Sequence, residues 1–222
     1  EDAGRRFASD CGARSGALLP HLSSRHTVRD MEVIRVALDD PKLTYVGFSF
    51  GTYYGALYAE MFPDRVRALV LDGAVDPALS IEQVDIQQAN GFGQSLQAFM
   101  NFCAASSSCG FRHGGDPRPA YDALRARVDR DPLRTRSGRS FGPTHLDVAV
   151  AALLYGGRAA YSEIANGLRQ AEGGDPSSLM RSFDEYVGRS GNGTYDSDWA
   201  AFVASSCADG PNLTVPAFEA LQ

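Results

Sequence analysis

Apolar positions along the chain change their period twice. Met31, Ile34 and Leu38 recur at helical spacing behind Thr27, with acidic residues in the early turns, which predicts a capped helix over residues 28–38 ending near Asp39-Asp40-Pro41. Leu43-Thr44-Tyr45-Val46 is short, β-branched and aromatic, and it runs into Gly47, so it reads as a strand. A second helix is expected from about Thr52 to Phe62, stopped by Pro63-Asp64. Val66 to Leu71 is then a continuous apolar run suited to a strand buried on both faces. The order helix, strand, turn, helix, strand argues for a parallel, right-handed α/β arrangement. Beyond Asp76-Pro77 the pattern becomes helical. The segments 81–104, 120–128, 146–154, 161–171, 179–187 and 199–207 are separated by Gly, Pro, Ser and Asp clusters. Thr144 with Asp147 three residues on resembles a capping box. The expected organisation is a partial α/β core over residues 1–77, followed by a helical, cap-like region over 78–222.

The turn between the first strand and the second helix carries the chemistry. Gly47-Phe48-Ser49-Phe50-Gly51 is a GxSxG pattern, weak by itself but made specific by the strand before it and the helix after it. A nucleophilic serine on such a turn has a strained backbone, projects from the carboxyl edge of the sheet, and needs neighbours nearly free of side chain. Gly47 and Gly51 are those neighbours, and Gly55 and Ala56 let the helix approach the sheet. Ser49 is therefore the candidate nucleophile. The backbone N–H of Phe50 is the candidate oxyanion donor, helped by the positive potential of the helix amino terminus.

Four stretches extend the match beyond the motif. Arg29-Asp30-Met31-Glu32, Tyr45 to Tyr53, Tyr58 to Val66 and Val70 to Pro77 resemble the tripeptidyl aminopeptidase group of the proline-iminopeptidase-like α/β-hydrolases, exported actinobacterial serine peptidases. The resemblance continues more loosely through the segment 103–109 and Cys207-Ala208-Asp209-Gly210. It implies an α/β-hydrolase fold with a helical cap. It also implies a Ser-His-Asp mechanism that releases short peptides or residues from a peptide substrate with a free amino terminus.

The other parts of that mechanism are not evident. The triad of this fold runs Ser, acid, His along the chain, which sets His21 and His26 on the wrong side of Ser49. His113 lies in a glycine-rich loop and His145 opens a helix, so both read as surface or packing residues. Asp72 and Asp76 follow the second strand, where turn and cap chemistry explains them better than a triad role. In the resembled family the acid and the histidine follow the cap, and an early His-Gly-Gly-Pro-like loop supplies the second oxyanion donor. Two parallel strands cannot by themselves hide both faces and both edges of a sheet. The chain therefore reads as the middle of a larger protein, inactive alone, with esterase action on small esters as the alternative chemistry.

Composition narrows the setting. The chain has 222 residues, 44% of them hydrophobic and 22% charged, with a net charge of −6 and basic residues dispersed rather than clustered, so neither nucleic acid nor an anionic membrane surface is an expected partner. No run of about 18 apolar residues suggests a membrane span. Glu1-Asp2-Ala3-Gly4-Arg5-Arg6 lacks an initiator Met and the apolar core of a signal peptide, and is read as the result of processing or truncation. No CxxC spacing points to a metal or redox site, and no cofactor is expected. Cys103 and Cys109 bracket a short polar loop that a disulfide could close, free buried thiols being the alternative. Cys11 and Cys207 then remain, to pair with each other or with cysteines elsewhere. Such bridges imply an extracytoplasmic compartment.

Weaker candidates have plain explanations. Glu82, Asp85, Glu163 and Glu172 read as solvated helix faces, and Tyr155, Trp199 and Phe202 as core packing. Asn192 and Asn212 head glycosylation-like triplets but read as loop residues.

Overall fold

The computed structural model describes residues 2–209. Asn212 lies outside them. The elements are α1 (Asp2–Ser15), α2 (Ser24–Ala37), β1 (Leu43–Phe48), α3 (Phe50–Met61), β2 (Val66–Asp72), α4 (Ile81–Ala105), α5 (Arg118–Arg130), β3 (Leu133–Arg134), β4 (Ser140–Phe141), α6 (Pro143–Leu154), α7 (Tyr161–Glu172), α8 (Ser177–Tyr186) and α9 (Asp198–Asp209). They form two compact units. Of the described residues, 2–86 with 200–209 make one and 87–199 the other.

In the first unit β1 and β2 pair in parallel, with Tyr45 opposite Leu69, Gly47 opposite Leu71 and Phe48 opposite Asp72. Helix α3 connects them, as a parallel pair requires. The side of the sheet that carries Tyr45 and Gly47 packs against α3, and α2 packs in turn on α3. Val28, Leu57 and Tyr58 are buried there, surrounded by Met31, Tyr53, Tyr54 and Met61.

Two expectations about this unit need correction. The strand pair is covered on one face only: on the other, Val46 and Phe48 of β1 and Val70 of β2 are 53%, 66% and 57% exposed. The apolar positions that mark α2 are buried only in part: Met31 packs against this cluster, while Ile34 and Leu38 are 58% and 74% exposed. The inner face of α2 instead carries Ser24, Val28 and Arg35. A polar set explains it: Glu32 accepts from the Arg35 guanidinium at 2.7 and 2.8 Å and from the Tyr58 hydroxyl at 2.6 Å, while Arg35 also donates to the Asp40 carbonyl. Helix α2 also starts earlier than the Thr27 cap predicts, with Ser23 as the N-cap.

The second unit is a helical body around Phe99, Phe111, Phe141, Leu146, Ile164 and Leu168, all 0% exposed. Each helix that the spacing predicts is present with its ends moved by a few residues. The Cys103–Cys109 disulfide is formed, with a Cα–Cα distance of 5.2 Å, and both cysteines belong to the core. Cys11 and Cys207 are free thiols on α1 and α9, so the bridge between them is not made in this structure. The Thr144/Asp147 capping box is not formed, and the helix start has only a one-way cap. Gly142 is the N-cap of α6 and its N–H donates to His145 Nδ1 at 3.2 Å, while Asp147 pairs with Arg125 at 2.8 Å. The short β3–β4 hairpin went unread because each strand has only two residues, too few to show alternation.

Two outcomes test this packing. Phe111→Ala is expected to lower unfolding stability by about 3–5 kcal/mol, measured by urea titration, because a fully buried ring leaves a cavity. The Arg35 guanidinium, helped by the Tyr58 hydroxyl, holds the Glu32 carboxyl down to about 2. A depressed carboxylate stabilises the fold fully above its unfolded value near 4.5 and loses that contribution as pH falls through the folded value. Acid unfolding of the protein is therefore expected to contain a component between about pH 4.5 and 2 that Glu32→Gln removes, a profile that intrinsic fluorescence can follow.

Candidate active site

The first unit builds its site from the turn between β1 and α3. Ser49 has φ 51° and ψ −123°, a combination that an L-residue with a side chain rarely adopts and that costs about 1–3 kcal/mol. Several hydrogen bonds hold it. The Ser49 N–H donates to the Asp72 carbonyl at 2.9 Å, tying the turn to the end of β2. Its own carbonyl accepts from the Thr52 N–H at 2.9 Å and from the Thr52 hydroxyl at 2.6 Å. Thr52 is 1% exposed and its hydroxyl oxygen accepts from the Val75 N–H at 2.8 Å, so one buried side chain braces both ends of the loop system.

The flanking glycines answer a steric demand. A Cβ on Gly47 would lie 2.5 Å from the Gly51 carbonyl oxygen, inside any real contact distance. A Cβ on Gly55 would meet Leu71 at 2.6 Å, so α3 lies as close to the sheet as a glycine allows. Tyr45 completes the bracing by donating its hydroxyl to the Gly51 carbonyl at 2.8 Å.

The consequence is an exposed Ser49 at the carboxyl end of β1 and the amino end of α3. Phe50 is the first residue of α3, so its N–H is among the amides that a helix cannot satisfy internally, and it lies in the positive field of the helix end. The Phe50 ring stacks on Tyr53 at 5.3 Å and meets Tyr54 edge-on at 5.4 Å, which fixes the residue that offers this amide. A serine hydroxyl beside free helix amides is an arrangement suited to attack on an acyl carbon.

Other candidates fall elsewhere. Among the described residues no histidine bonds the Ser49 hydroxyl. His26, in the first turn of α2, pairs through Nδ1 with the Ser23 hydroxyl at 2.8 Å, and its ring meets that of His21, just before the helix, edge-on. His113 pairs with Glu172 at 3.2 Å in the second unit. His145 lies between Phe141 and Phe183, where burial and the nearby Arg139 push its pKa below the ordinary value. It is the Asp72 carbonyl that meets Ser49, and the Asp76 carboxylate caps its own turn by accepting from the Ala78 N–H at 2.9 Å. Asn192 accepts from Thr194 within its loop at 3.0 Å. The assignment of Tyr155, Trp199 and Phe202 to core packing is corrected, for they are 61%, 46% and 52% exposed; Tyr155 stacks on Tyr186 rather than inside the core. Among the described residues no group of His, Cys, Asp or Glu is placed to hold a metal, and no helix is long and apolar enough to cross a membrane. The bracing roles of Tyr45 and Thr52 were missed. Tyr45 could have been found from strand alternation, which sets it on the same face as Gly47.

Comparison with known proteins agrees with this geometry. Residues 8–112 match the family described as α/β hydrolase fold. The chain is similar to the serine protease Hip1 of Mycobacterium tuberculosis, 32% identical over 96% of this chain and 43% of that protein. It is similar to the tripeptidyl aminopeptidase of Streptomyces lividans, 32% identical over 92% of this chain and 38% of that protein. Carboxylesterase B of Mycobacterium tuberculosis is 35% identical over 98% of this chain and 42% of that protein. The chain thus spans less than half the length of the curated relatives it matches. On the parallel β1–α3–β2 unit, the GxSxG turn and these matches together, residues 8–112 carry the α/β-hydrolase fold, and the chain is similar to part of the tripeptidyl aminopeptidases and their relatives.

Proposed function

We propose that these residues are the nucleophile-bearing part of an exported serine hydrolase that acts on peptides with a free amino terminus and releases short peptides or residues from that end. The observation that carries the reading is the Ser49 backbone, held at positive φ on a strand-to-helix turn at the amino end of α3. In the proposed reaction a general base takes the Ser49 hydroxyl proton as Oγ attacks the scissile carbonyl, and the oxyanion is received by the Phe50 N–H. The amine leaves with a proton, and water then releases the acyl group from Ser49. The base and the acid that orients it are contributed by parts of the protein outside these residues. The relatives named serine protease and tripeptidyl aminopeptidase support the peptidase reading. A second reading, esterase action on small esters, is favoured by the relative named carboxylesterase B.

Four outcomes test this. A fluorophosphonate probe applied to the full-length protein is expected to form one adduct, mapped by mass to Ser49 and abolished in Ser49→Ala; an adduct elsewhere sinks the assignment. Peptidyl anilides with free amino termini are expected to be cleaved and their amino-blocked counterparts not, whereas faster turnover of simple esters with indifference to the amine selects the esterase. Gly47→Ala is expected to slow Ser49 labelling by about 100-fold or more, because the added carbon must displace the Gly51 carbonyl from under the turn. The 222 residues alone are expected to show no turnover, and measured turnover that Ser49→Ala removes would refute that.

A further inference from the structure

Asp209, the last residue of α9, is bonded to the start of α2. Its carboxylate accepts from the Ser24 N–H at 2.6 Å and from the Ser24 hydroxyl through its other oxygen, across 185 positions of sequence. Ser24 is 1% exposed and is the first residue of α2, so the carboxylate caps the positive end of that helix in place of its own N-cap, Ser23, whose side chain makes no capping bond. The Tyr54 hydroxyl lies against the side chains of Ser24 and Thr27 and in the field of Asp209; burial first, and then that charge, raise its pKa. Tyr53 is raised in the same way, by burial and then by Asp209. These two tyrosines are the ones whose rings hold Phe50, stacked on one and edge-on to the other. Both tyrosines also pack against the cluster that contains Val28 of α2, so the helix that Asp209 caps at Ser24 is the one against which the rings holding Phe50 are set.

We infer that Asp209 is a positioning residue for the oxyanion side of the Ser49 turn: by fixing the start of α2 it holds Tyr53 and Tyr54, and through them Phe50, in the orientation that aims the Phe50 N–H. This rests on the reading of Ser49 as nucleophile. The Asp209 carboxylate touches no reacting atom and transfers no proton. Its removal frees the Ser24 donors and loosens the two rings, so the effect falls on the rate of attack more than on the encounter with the reagent.

The test is the kinetics of fluorophosphonate labelling of the full-length protein, resolved into the maximal inactivation rate and the reagent's apparent affinity. Asp209→Ala is expected to lower the maximal rate by about 10- to 100-fold, with affinity changed by no more than about twofold, at a temperature where thermal unfolding shows the variant folded. Asp209→Asn, which keeps one oxygen to accept from the Ser24 N–H, is expected to recover part of that loss, and Ser24→Ala to show a smaller loss of the same kind. If Asp209→Ala does not fold, the other two variants carry the comparison. Wild-type labelling at Ser49 with unchanged maximal rates in the folded variants overturns this inference and leaves the nucleophile reading standing. Losses that merely follow the unfolded fraction overturn it too. Wild-type labelling at another residue overturns both.

Discussion

The close approach of two backbone segments, Gly47 at the end of β1 and Gly51 in the first turn of α3, is the constraint on which the rest of the site depends. With 2.5 Å between a notional Cβ on Gly47 and the Gly51 carbonyl oxygen, the chain can reverse from strand to helix within a few residues only because Gly47 carries no side chain; a Cβ on Gly51 would meet only the Tyr45 hydroxyl, at 3.3 Å. That reversal sets Ser49 at φ 51°, and the strain is carried by bonds to Asp72, Thr52 and, through Thr52, Val75. Each of these partners comes from a different element, so the turn is correct only when β2 is in register beside β1. The hydroxyl is exposed for the same reason that the backbone is strained: the turn lifts it clear of the sheet edge.

Around the turn, the first unit is held as much by polar contacts as by apolar burial. The buried apolar set is small, with Val28, Leu57 and Tyr58 at its centre. The charged pair of Glu32 and Arg35, with the Tyr58 hydroxyl, joins α2 to α3 where a larger domain would use packed side chains. A pair so shielded, with side-chain exposures of 7% for Arg35 and 19% for Glu32, is costly to break because the remaining charge is left without its partner. The same logic places the Asp209 carboxylate on the buried Ser24 donors. The helical unit relies instead on apolar packing, reinforced by a disulfide that closes the loop after α4.

Exposed apolar side chains are concentrated in the first unit, on the sheet face carrying Val46, Phe48 and Val70 and on the outer side of α2, at Val33, Ile34, Val36 and Leu38. The run 66–71 has the composition of a strand buried on both faces, and the periodic positions of α2 have that of a buried stripe. These compositions are set by selection on the whole fold, whereas the exposures describe only what the present residues cover. Hydrophobic pattern located α2 correctly, but of its periodic positions only Met31 packs inward in this unit.

The sequence alone determined the order of strands and helices, the turn that carries Ser49, the helical character of the later region and the Cys103–Cys109 closure. Each of these is local, written in periodicity, in glycine and proline placement, or in two cysteines six residues apart. Tertiary structure decided what depends on partners distant in the chain. Ser49 N–H finds the Asp72 carbonyl 23 residues later, Tyr45 reaches over its own strand to Gly51, Glu32 rather than Ile34 faces the core, and Asp209 caps a helix that begins at Ser24. No pattern of residue types encodes those pairings, because a hydrogen bond or an ion pair is chosen by which groups the packed backbone brings within about 3 Å of one another.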